Sequence, residues 1–382
     1  MNDDVDLSVE ICEVHLKNPF ILASGPRAKD AKDLVRAAEC GAGAVVTKTI
    51  GPEAAVVPRP CITRTLGGVI NNELWSDLDY DSWIKREIKE ARKAGVPVIG
   101  SIGGARYING KVSYDSKPED IEMVAKGVAN AGVDMLELPA YDPRTMIPLL
   151  RAAKKGGGGI PVIAKLSMIT FEPVEMGLAA KKAGADAISY MDSMGNVYKF
   201  DVNTGKSFMG SLTSYGRISG ATLKPFMIYG VANLARATGL PIIGIGGIMS
   251  GEDAVETIMA GAQAVQVCTA IILNGHEFFG TLNNQLESFM RKKGYRKLDD
   301  FRGIALKNVV EREEKGHEIY KPNNPKVDKD KCISCGLCIM ACPWNALHFV
   351  EKKATVNTDL CYGCSLCTSL CPTKALSIHY PL

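Results

Sequence analysis

The sequence is short of three features: long apolar runs, a strong charge of either sign, and an apolar segment at its start. No stretch approaches the ~18–20 apolar residues that a membrane span needs, so we expect no membrane partner. The 45 Lys and Arg residues nearly balance the 42 Asp and Glu residues, which leaves a net charge of +3. The basic residues are scattered, so a nucleic-acid partner is not expected. The opening segment, MNDDVDLSVE, is acidic, so we expect no secretory signal and a cytoplasmic location.

Two motifs of redox and acid–base enzymes are also missing. No GxGxxG opens a βαβ unit near the start of the chain, which excludes a dinucleotide-binding Rossmann domain there. Histidine is scarce, and none of the five residues follows a predicted strand. A histidine base at a strand end is therefore excluded, since the five are His15, His276, His317, His348 and His379.

Length and cysteine content point to two domains of different kinds. The 382 residues exceed the ~250–300 at which a single core usually stops growing. Cysteine is the compositional outlier: of twelve, eight fall between Cys332 and Cys371, and the others are Cys12, Cys40, Cys61 and Cys268. Dense, regular cysteine spacing in a cytosolic chain indicates metal binding rather than disulfides.

The first two thirds of the chain alternate apolar strands with amphipathic helices. Continuous Val- and Ile-rich runs are typical of parallel strands that are buried on both faces. Eight such units in ~250 residues predict an α/β fold, a (β/α)8 TIM barrel, with a doubly wound open sheet as the alternative. The predicted strands are 19–25, 43–49, 97–104, 134–140, 161–167, 186–193, 241–248 and 264–271.

Polar residues at the ends of these strands are the candidate functional residues, because barrel active sites lie at the C-terminal face. They are Ser24, Gly25, Lys48, Thr49, Ser101, Asp142, Lys165, Asp192, Ser193, Gly246, Gly247, Cys268 and Thr269. Lys48 and Lys165 stand out, since a lysine inside an apolar run must pair with another group.

Glycines after the last two strands predict a phosphate site. Gly246 and Gly247 follow strand seven, and Cys268 and Thr269 follow strand eight. Loops at these two positions commonly bind phosphate, because glycine lets backbone N–H groups come close to the anion. The segment SGATLKP (219–225) supplies a further glycine-containing turn that could reach the same ligand.

The C-terminal segment carries two complete cysteine runs of the pattern C-x2-C-x2-C-x3-C-P. In two-cluster ferredoxins the fourth cysteine of each run ligates the other cluster. The pattern therefore predicts two 4Fe–4S clusters, with zinc as the alternative. One predicted ligand set is Cys332, Cys335, Cys338 and Cys371, and the other is Cys361, Cys364, Cys367 and Cys342.

These motifs together resemble a known family. The stretches NPFILASGP, VVTKTIGPEA, VIAKL, MDSMGN, SGATLKP and IIGIGGI resemble the dihydroorotate dehydrogenase family. The fusion to a ferredoxin domain resembles the catalytic half of dihydropyrimidine dehydrogenases. The resemblance implies FMN, with Ala23, Ser24 and Gly25 along its ring, Lys48 at the reactive edge with Thr49 beside it, and Lys165 near its N1/O2 side. It also implies that the FMN phosphate is held by Gly220, Gly246, Gly247, Cys268 and Thr269.

The chain departs from the family pattern where substrate should bind. Asn71 matches a substrate-binding Asn of the family. After strand six, Ser193 matches the family pattern, but Asp192 stands where an Asn is usual. After strand four the family pattern N-x-S-C-P-N, whose Cys transfers a proton, is replaced by Pro139-Ala140-Tyr141-Asp142-Pro143-Arg144. We expect Asp142 or Tyr141 to donate the proton instead. We expect Arg144 to bind an anionic substrate in a bidentate grip.

The function predicted from the sequence is reduction, or the reverse oxidation, of a carbon–carbon bond in a small conjugated substrate. Electrons would pass between FMN and an external donor, a ferredoxin or an NAD(P)H-dependent flavoprotein subunit, through the two clusters. The alternative is a non-catalytic electron-transfer subunit. The expected domains are a barrel at 1–319, a linker at 320–330 and a small α+β ferredoxin-like domain at 331–382, and we expect a homo-oligomer.

Overall fold

The computed structural model describes residues 5–108, 111–167, 172–314 and 323–378. The chain divides into two compact units, Met1–Leu306 and Lys307–Leu382. The boundary expected after residue 319 and the start of the expected linker, 320–322, lie outside the described residues. The domain limits read from the sequence therefore stay predictions.

The first unit is a closed barrel of eight parallel strands within the described residues, and the expected barrel is confirmed over the open sheet. The strands follow one another around the barrel in chain order, with β8 pairing with β1. They are β1 (Phe20–Leu22), β2 (Ala44–Val46), β3 (Val98–Ser101), β4 (Met135–Ala140), β5 (Val162–Leu166), β6 (Ala187–Tyr190), β7 (Ile242–Ile245) and β8 (Ala264–Val267).

Each strand is shorter than its apolar run, because strand pairing ends where the barrel ends. The last pair of β8 with β1 is Val267 with Leu22, so the predicted strand 264–271 stops there. Its second half instead begins the helix Thr269–Asn274. The strand side chains are almost all fully buried, as expected for parallel strands that face the barrel interior on one side and helices on the other.

Helices cover the outside of the barrel, and their ends carry the expected signals. Asp30 caps the first by accepting a hydrogen bond from the Asp33 N–H, and Gly132 and Gly184 end two others in the left-handed conformation. The helices are Ala31–Glu39, a run of short helical turns over 80–94, Pro118–Ala131, Pro143–Gly157, Pro173–Ala183, Lys224–Thr238, Gly251–Met259, Thr269–Asn274, Phe278–Lys293 and Ile304–Glu314. Single 3-10 turns occur at Pro26–Ala28, Ala221–Leu223 and Leu298–Asp300.

Insertions after β2 and β6 build an antiparallel sheet at the C-terminal mouth of the barrel, here called the mouth sheet. Its strands, in spatial order, are Met194–Val197, Gly216–Gly220, Gly68–Asn71 and Ile62–Thr65. Because these insertions leave the carboxyl ends of the barrel strands, the mouth sheet belongs to the face where barrel active sites lie. Two hairpins complete the unit, Val9–Ile11 with Val14–Leu16 and Arg106–Ile108 with Lys111–Ser113.

The second unit is small and mixed in structure. It pairs Lys326–Val327 with Leu376–Ser377 and Leu347–Val350 with Lys353–Val356, and it has the helices Leu337–Met340 and Leu366–Leu370. Residues 326–327, part of the expected linker, thus belong to one of its sheets. Among the residues described in either unit, no helix is long and apolar enough to cross a membrane.

Candidate active site and cysteine clusters

Lys48 and Lys165 each have a carboxylate partner, as their burial requires. Lys48 follows β2, and its Nζ lies 2.6 Å from Oε2 of Glu73. The loop that carries Glu73 is held by Asn71, whose Oδ1 accepts the Glu73 N–H at 2.6 Å. Asn71 therefore positions the partner of Lys48, and the charge of Lys48 is balanced before any ligand binds.

Lys165 forms the second pair, deep inside the barrel. Its Nζ lies 3.6 Å from Oε1 of Glu137, whose side chain is fully buried in β4. The other oxygen, Oε2, accepts hydrogen bonds from the Ser189 hydroxyl at 2.9 Å and from Nε2 of Gln266 at 2.6 Å. Burial alone would lower the pKa of Lys165, but the charges of Glu137 and Asp192 outweigh it and raise that pKa. Lys165 is therefore positively charged at neutral pH.

Glu137 is a residue that sequence reasoning missed. The signal was present, since a glutamate in the middle of the apolar run DMLELPA must find a partner for the same reason as a buried lysine. What the run could not reveal is that this partner comes from β5, the neighbouring strand.

Tyr141 and Asp192 meet beyond the ends of β4 and β6, close enough to Lys165 for their charges to influence one another. The Tyr141 hydroxyl donates a hydrogen bond to Oδ2 of Asp192 at 3.1 Å, and the guanidinium of Arg217 lies 5.3 Å from the centre of the Tyr141 ring. Asp192 also accepts the N–H of Ser193 at 2.7 Å. The structure thus brings Tyr141, Asp192 and Ser193 together, and it adds Arg217 from the mouth sheet, which sequence reasoning did not single out.

The charges around Tyr141 and Asp192 help to shift the pKa values of these two side chains in opposite directions. Desolvation raises the pKa of Tyr141, and the neighbouring charge of Asp192 raises it further. For Asp192, burial acts to raise the pKa, but Lys165 and Arg217 lower it below its ordinary value. At neutral pH Tyr141 therefore carries its proton and Asp192 is ionised.

Asp142 and Arg144 are engaged with each other rather than with the mouth. Asp142 caps the helix Pro143–Gly157, accepting the Arg144 N–H at 2.8 Å, and its Oδ2 lies 2.6 Å from Nη2 of Arg144. The Arg144 side chain is 82% exposed. The hydrogen bonds from the Arg144 side chain and backbone lower the pKa of Asp142, so it is ionised and holds no proton to donate. This geometry weighs against Asp142 as the acid and against Arg144 as the substrate grip.

The glycines after β6 and β7 form tight turns that side chains would fill. Gly246, Gly247 and Gly220 all have positive φ angles, of 113°, 82° and 113°. A Cβ at Gly247 would lie 2.6 Å from the backbone N of Lys224. Neither Gly246 nor Gly247 donates its N–H to an acceptor in the described part of the chain. Free N–H groups in a glycine turn fit a phosphate.

Small and hydroxyl side chains line the opening between β1, β2 and β8. Ala23 is buried, and the Ser24 hydroxyl lies 3.3 Å from the Thr49 hydroxyl, which contacts that of Ser101 at 3.0 Å. A Cβ at Gly25 would lie 2.7 Å from Sγ of Cys268. Beside it, the Thr269 hydroxyl donates to Ser219 of the mouth sheet at 2.8 Å. The structure thus brings Ser24 next to Thr49 and Gly25 next to Cys268, and it places Thr269 beside the residue that precedes Gly220.

The eight C-terminal cysteines form two sets of four, each around its own cavity. All eight are free of disulfides. In both sets the cysteine from the other run accepts a backbone N–H four residues on, from Ala346 to Cys342 at 3.3 Å and from Ala375 to Cys371 at 3.2 Å. One cavity is lined by Cys332, Cys335, Cys338 and Cys371, and the other by Cys342, Cys361, Cys364 and Cys367. The exchange of the fourth cysteine suits two cubane clusters.

A parallel barrel with buried lysines and a glycine turn at its mouth, in one chain with two sets of four cysteines, suits an iron–sulfur flavin oxidoreductase. Comparison with known families agrees. Residues 325–378 match the domain described as a 4Fe-4S dicluster domain, which decides against zinc. Residues 6–290 match the family described as dihydroorotate dehydrogenase, and the chain belongs to that family. It is therefore an oxidoreductase that acts on CH–CH groups.

Several curated proteins resemble the chain, and each is named as the catalytic subunit of dihydroorotate dehydrogenase B (NAD(+)). The protein of Methanothermobacter thermautotrophicus is 33% identical over 313 residues, which cover 78% of this chain and 98% of the relative. That of Thermococcus kodakarensis is 32% identical over 310 residues, covering 78% and 98%. That of Methanocella arvoryzae is 33% identical over 314 residues, covering 77% and 96%.

Proposed function

We propose that this chain binds FMN at the barrel mouth and uses it to reduce, or in reverse to form, a carbon–carbon double bond in a small conjugated substrate. Electrons enter or leave through two 4Fe–4S clusters in the second unit. The external partner is a ferredoxin or an NAD(P)H-dependent flavoprotein subunit.

One observation carries the proposal: a protonated tyrosine, an ionised aspartate and a buried lysine stand together at the mouth. Tyr141, Asp192 and Lys165 come from three different strand ends. An electron-transfer protein has no need of a proton donor held in place near a buried cation. An enzyme that adds hydrogen across a double bond needs both, one to supply the proton and the other to stabilise negative charge.

The residues around the opening fit FMN. Gly220, Gly246, Gly247 and Thr269 would hold its phosphate, while Ala23, Ser24, Gly25, Thr49 and Cys268 would line its ring system. When bound, FMN supplies the hydride chemistry. Lys165, a cation in its pair with Glu137, would stabilise negative charge that builds up on the ring. Lys48 and Glu73, a neutral pair, would close the opposite side of the opening.

Tyr141 is the proton donor in this proposal. Its raised pKa keeps the proton on the hydroxyl through neutral and mildly alkaline pH. The one proton of the phenol is donated to Asp192 in this structure, so its transfer to a substrate carbon requires the hydroxyl to turn from Asp192 to the substrate. Asp192 is already ionised and has no proton of its own to give. The proton that Tyr141 gives to a substrate carbon returns from solvent, to which the residue as a whole is 41% exposed.

Purification under nitrogen followed by iron, acid-labile sulfide and flavin assays tests the cofactors. We expect one FMN and close to eight iron atoms per chain, because two cysteine sets are complete and one glycine turn suits one phosphate. Four irons per chain, or FAD in place of FMN, would contradict the proposal. Photoreduced protein mixed with a panel of conjugated cyclic and acyl compounds then tests the reaction, through reoxidation of the flavin band.

A further inference from the structure

Glu73 is held against Lys48 by the loop that carries it. The side chain of Asn71 accepts the Glu73 N–H at 2.6 Å, and the Ser76 N–H donates to the carbonyl of Thr49 at 2.8 Å. Thr49 directly follows Lys48, so the loop is tied to the segment that carries the lysine. The fold therefore sets the distance of 2.6 Å between Oε2 of Glu73 and Nζ of Lys48.

The Lys48–Glu73 pair has little contact with solvent, which makes it costly to separate. The Lys48 side chain is 10% exposed and that of Glu73 is 20% exposed. A negatively charged ligand group could bind Lys48 only by displacing Glu73, which the loop would keep close by. Two carboxylates would then compete for one ammonium group, and their like charges would repel each other. The Lys48 side of the mouth is therefore poorly suited to an anion.

The same pair can still form hydrogen bonds with an uncharged ligand. An ammonium group has three N–H donors, and in the described part of the chain Lys48 uses only the one directed at Glu73. Oε1 of Glu73 accepts no hydrogen bond from the described residues and is not sealed from solvent. A donor and an acceptor therefore stand side by side with no net charge.

The pair acts on Cys268, one of the residues expected to bind FMN. Burial raises the pKa of the Cys268 thiol, and four charged groups influence the same thiol: Lys165, Lys48, Asp192 and Glu73. Because Cys268 follows β8, the pair beyond β2 and the charges from β5 and β6 meet in one region of the mouth. A substrate bound there would therefore contact the Lys48–Glu73 pair.

We propose that Glu73 is a specificity-determining residue of the active site. It keeps negative charge away from the Lys48 side of the mouth and accepts a hydrogen bond from an uncharged N–H or O–H group of the substrate. This inference rests on the proposed function of the same site. It departs from the anionic substrate expected at Arg144, whose guanidinium is paired with Asp142.

Two other cations of the mouth sheet determine how the inference is tested. Arg217 contacts the Tyr141 ring, and Arg64 is exposed on the strand Ile62–Thr65. Neither side chain forms a hydrogen bond or an ion pair with the residues that the structure describes. Either arginine could bind a carboxylate without Lys48. The decisive quantity is therefore the change in carboxylate affinity when Glu73 is replaced, rather than the preference of the parent protein.

Titration of the oxidised holoprotein with matched ligand pairs measures this change. The pairs are benzoate with benzamide, nicotinate with nicotinamide, and orotate with uracil, each of which differs chiefly in a carboxylate. Affinity is read by isothermal calorimetry and by perturbation of the flavin absorption band. In Glu73→Gln at least one carboxylate should gain about tenfold or more in affinity relative to its neutral partner, because Lys48 becomes free to bind it. This is the scale of one charge-assisted hydrogen bond.

Three further variants locate the source of the gain. Asp77→Asn removes the same charge from an exposed position on the same loop and should keep the parent affinities. Glu73→Asp keeps the charge but shortens its reach, so it should show a smaller gain, and it supplies the comparison if Glu73→Gln loses flavin. The double variant Lys48→Gln with Glu73→Gln should lose the gain, since the free cation is gone.

The inference is overturned if neither substitution of Glu73 raises the affinity for any carboxylate, or if the gain persists in the double variant. An equal gain in Asp77→Asn would also overturn it, since loss of any negative charge would then suffice. Binding is measured without turnover, so failure of the proposed function shows separately. In that case the affinities would change as expected, yet no ligand would reoxidise the photoreduced flavin.

Discussion

The two units of this protein differ in what fills their interiors. The barrel buries many large apolar side chains completely, among them Phe20, Trp83, Tyr190 and Phe279. The buried cluster of the second unit consists of Leu347, Ala354 and Leu376 together with two cysteines of the metal sets, Cys338 and Cys367. Small domains with so little apolar core usually depend on metal or disulfides for stability. We therefore expect packing to stabilise the barrel and bound iron–sulfur clusters to stabilise the second unit.

Loss of the clusters should have the largest effect on structure, and this effect should be confined to the second unit. Removal of iron with a chelator under reducing conditions should unfold residues 323–378, because binding energy at a structural metal site is folding energy. The barrel should keep its structure, since its core contains none of these cysteines. Hydrogen exchange with mass spectrometry would follow both units at once. Protection that persists in both units after complete iron loss would break the comparison.

A substitution inside the barrel should destabilise the barrel and leave the second unit unaffected. Glu137→Gln leaves the buried charge of Lys165 without its nearest partner, and breaking a buried pair costs about 3–5 kcal/mol. The remaining influence of Asp192 should keep the loss near the lower figure. Urea unfolding of the barrel should report this change, while the visible absorption of the clusters stays at the parent level. A matched surface variant, Lys85→Gln in an exposed i,i+4 pair, should leave stability close to that of the parent protein.

Tyr141→Phe should alter the chemistry while leaving both units folded. Loss of the general acid should slow flavin reoxidation by substrate about 10²-fold or more. Asp142→Asn is the paired variant and should retain most of the rate, because Asp142 is already ionised and caps a helix. A tenfold or greater loss confined to Asp142→Asn would reverse the assignment of the acid.

The pH dependence of the same step distinguishes the two acids. A tyrosine whose pKa is raised above its ordinary value of 10.0 stays protonated well into alkaline solution, so the rate should not fall between pH 6 and about pH 10. An aspartate whose pKa lies below 3.8 would instead lose its proton as the pH rises through the acid range, and the rate would fall with it. Stopped-flow traces at a series of pH values, on photoreduced protein, would show which profile applies.

The barrel strands and the cysteine sets could be predicted because each depends on a local pattern. A Val- and Ile-rich run predicts a buried parallel strand. The pattern C-x2-C-x2-C-x3-C-P predicts ligands of an iron–sulfur cluster without reference to the rest of the chain. The exchange of Cys342 and Cys371 between the sets followed from the motif alone.

The partners within the barrel mouth could not be predicted in this way, because they meet across strands. Glu73, Glu137 and Arg217 lie far in sequence from the residues they contact, and Arg217 reaches Tyr141 only because the mouth sheet folds over the strand ends. The structure weighs against Asp142 as the acid for a local reason. An aspartate directly before proline is a common start of a helix, and that capping role uses its carboxylate.

The central claim is that electrons reach the flavin of the barrel through the clusters of the second unit. Stopped-flow reduction of Cys338→Ala under nitrogen tests this claim most directly. Cys338 lines one cluster cavity and lies in the small unit's core, while the barrel does not contain it. The account predicts that reduced ferredoxin reduces the flavin of the parent protein but not that of the variant. Once photoreduced, the variant's flavin should still be reoxidised by substrate at the parent rate. Flavin reduction by ferredoxin at equal rates in both proteins would contradict the account, since the electrons would then bypass the clusters.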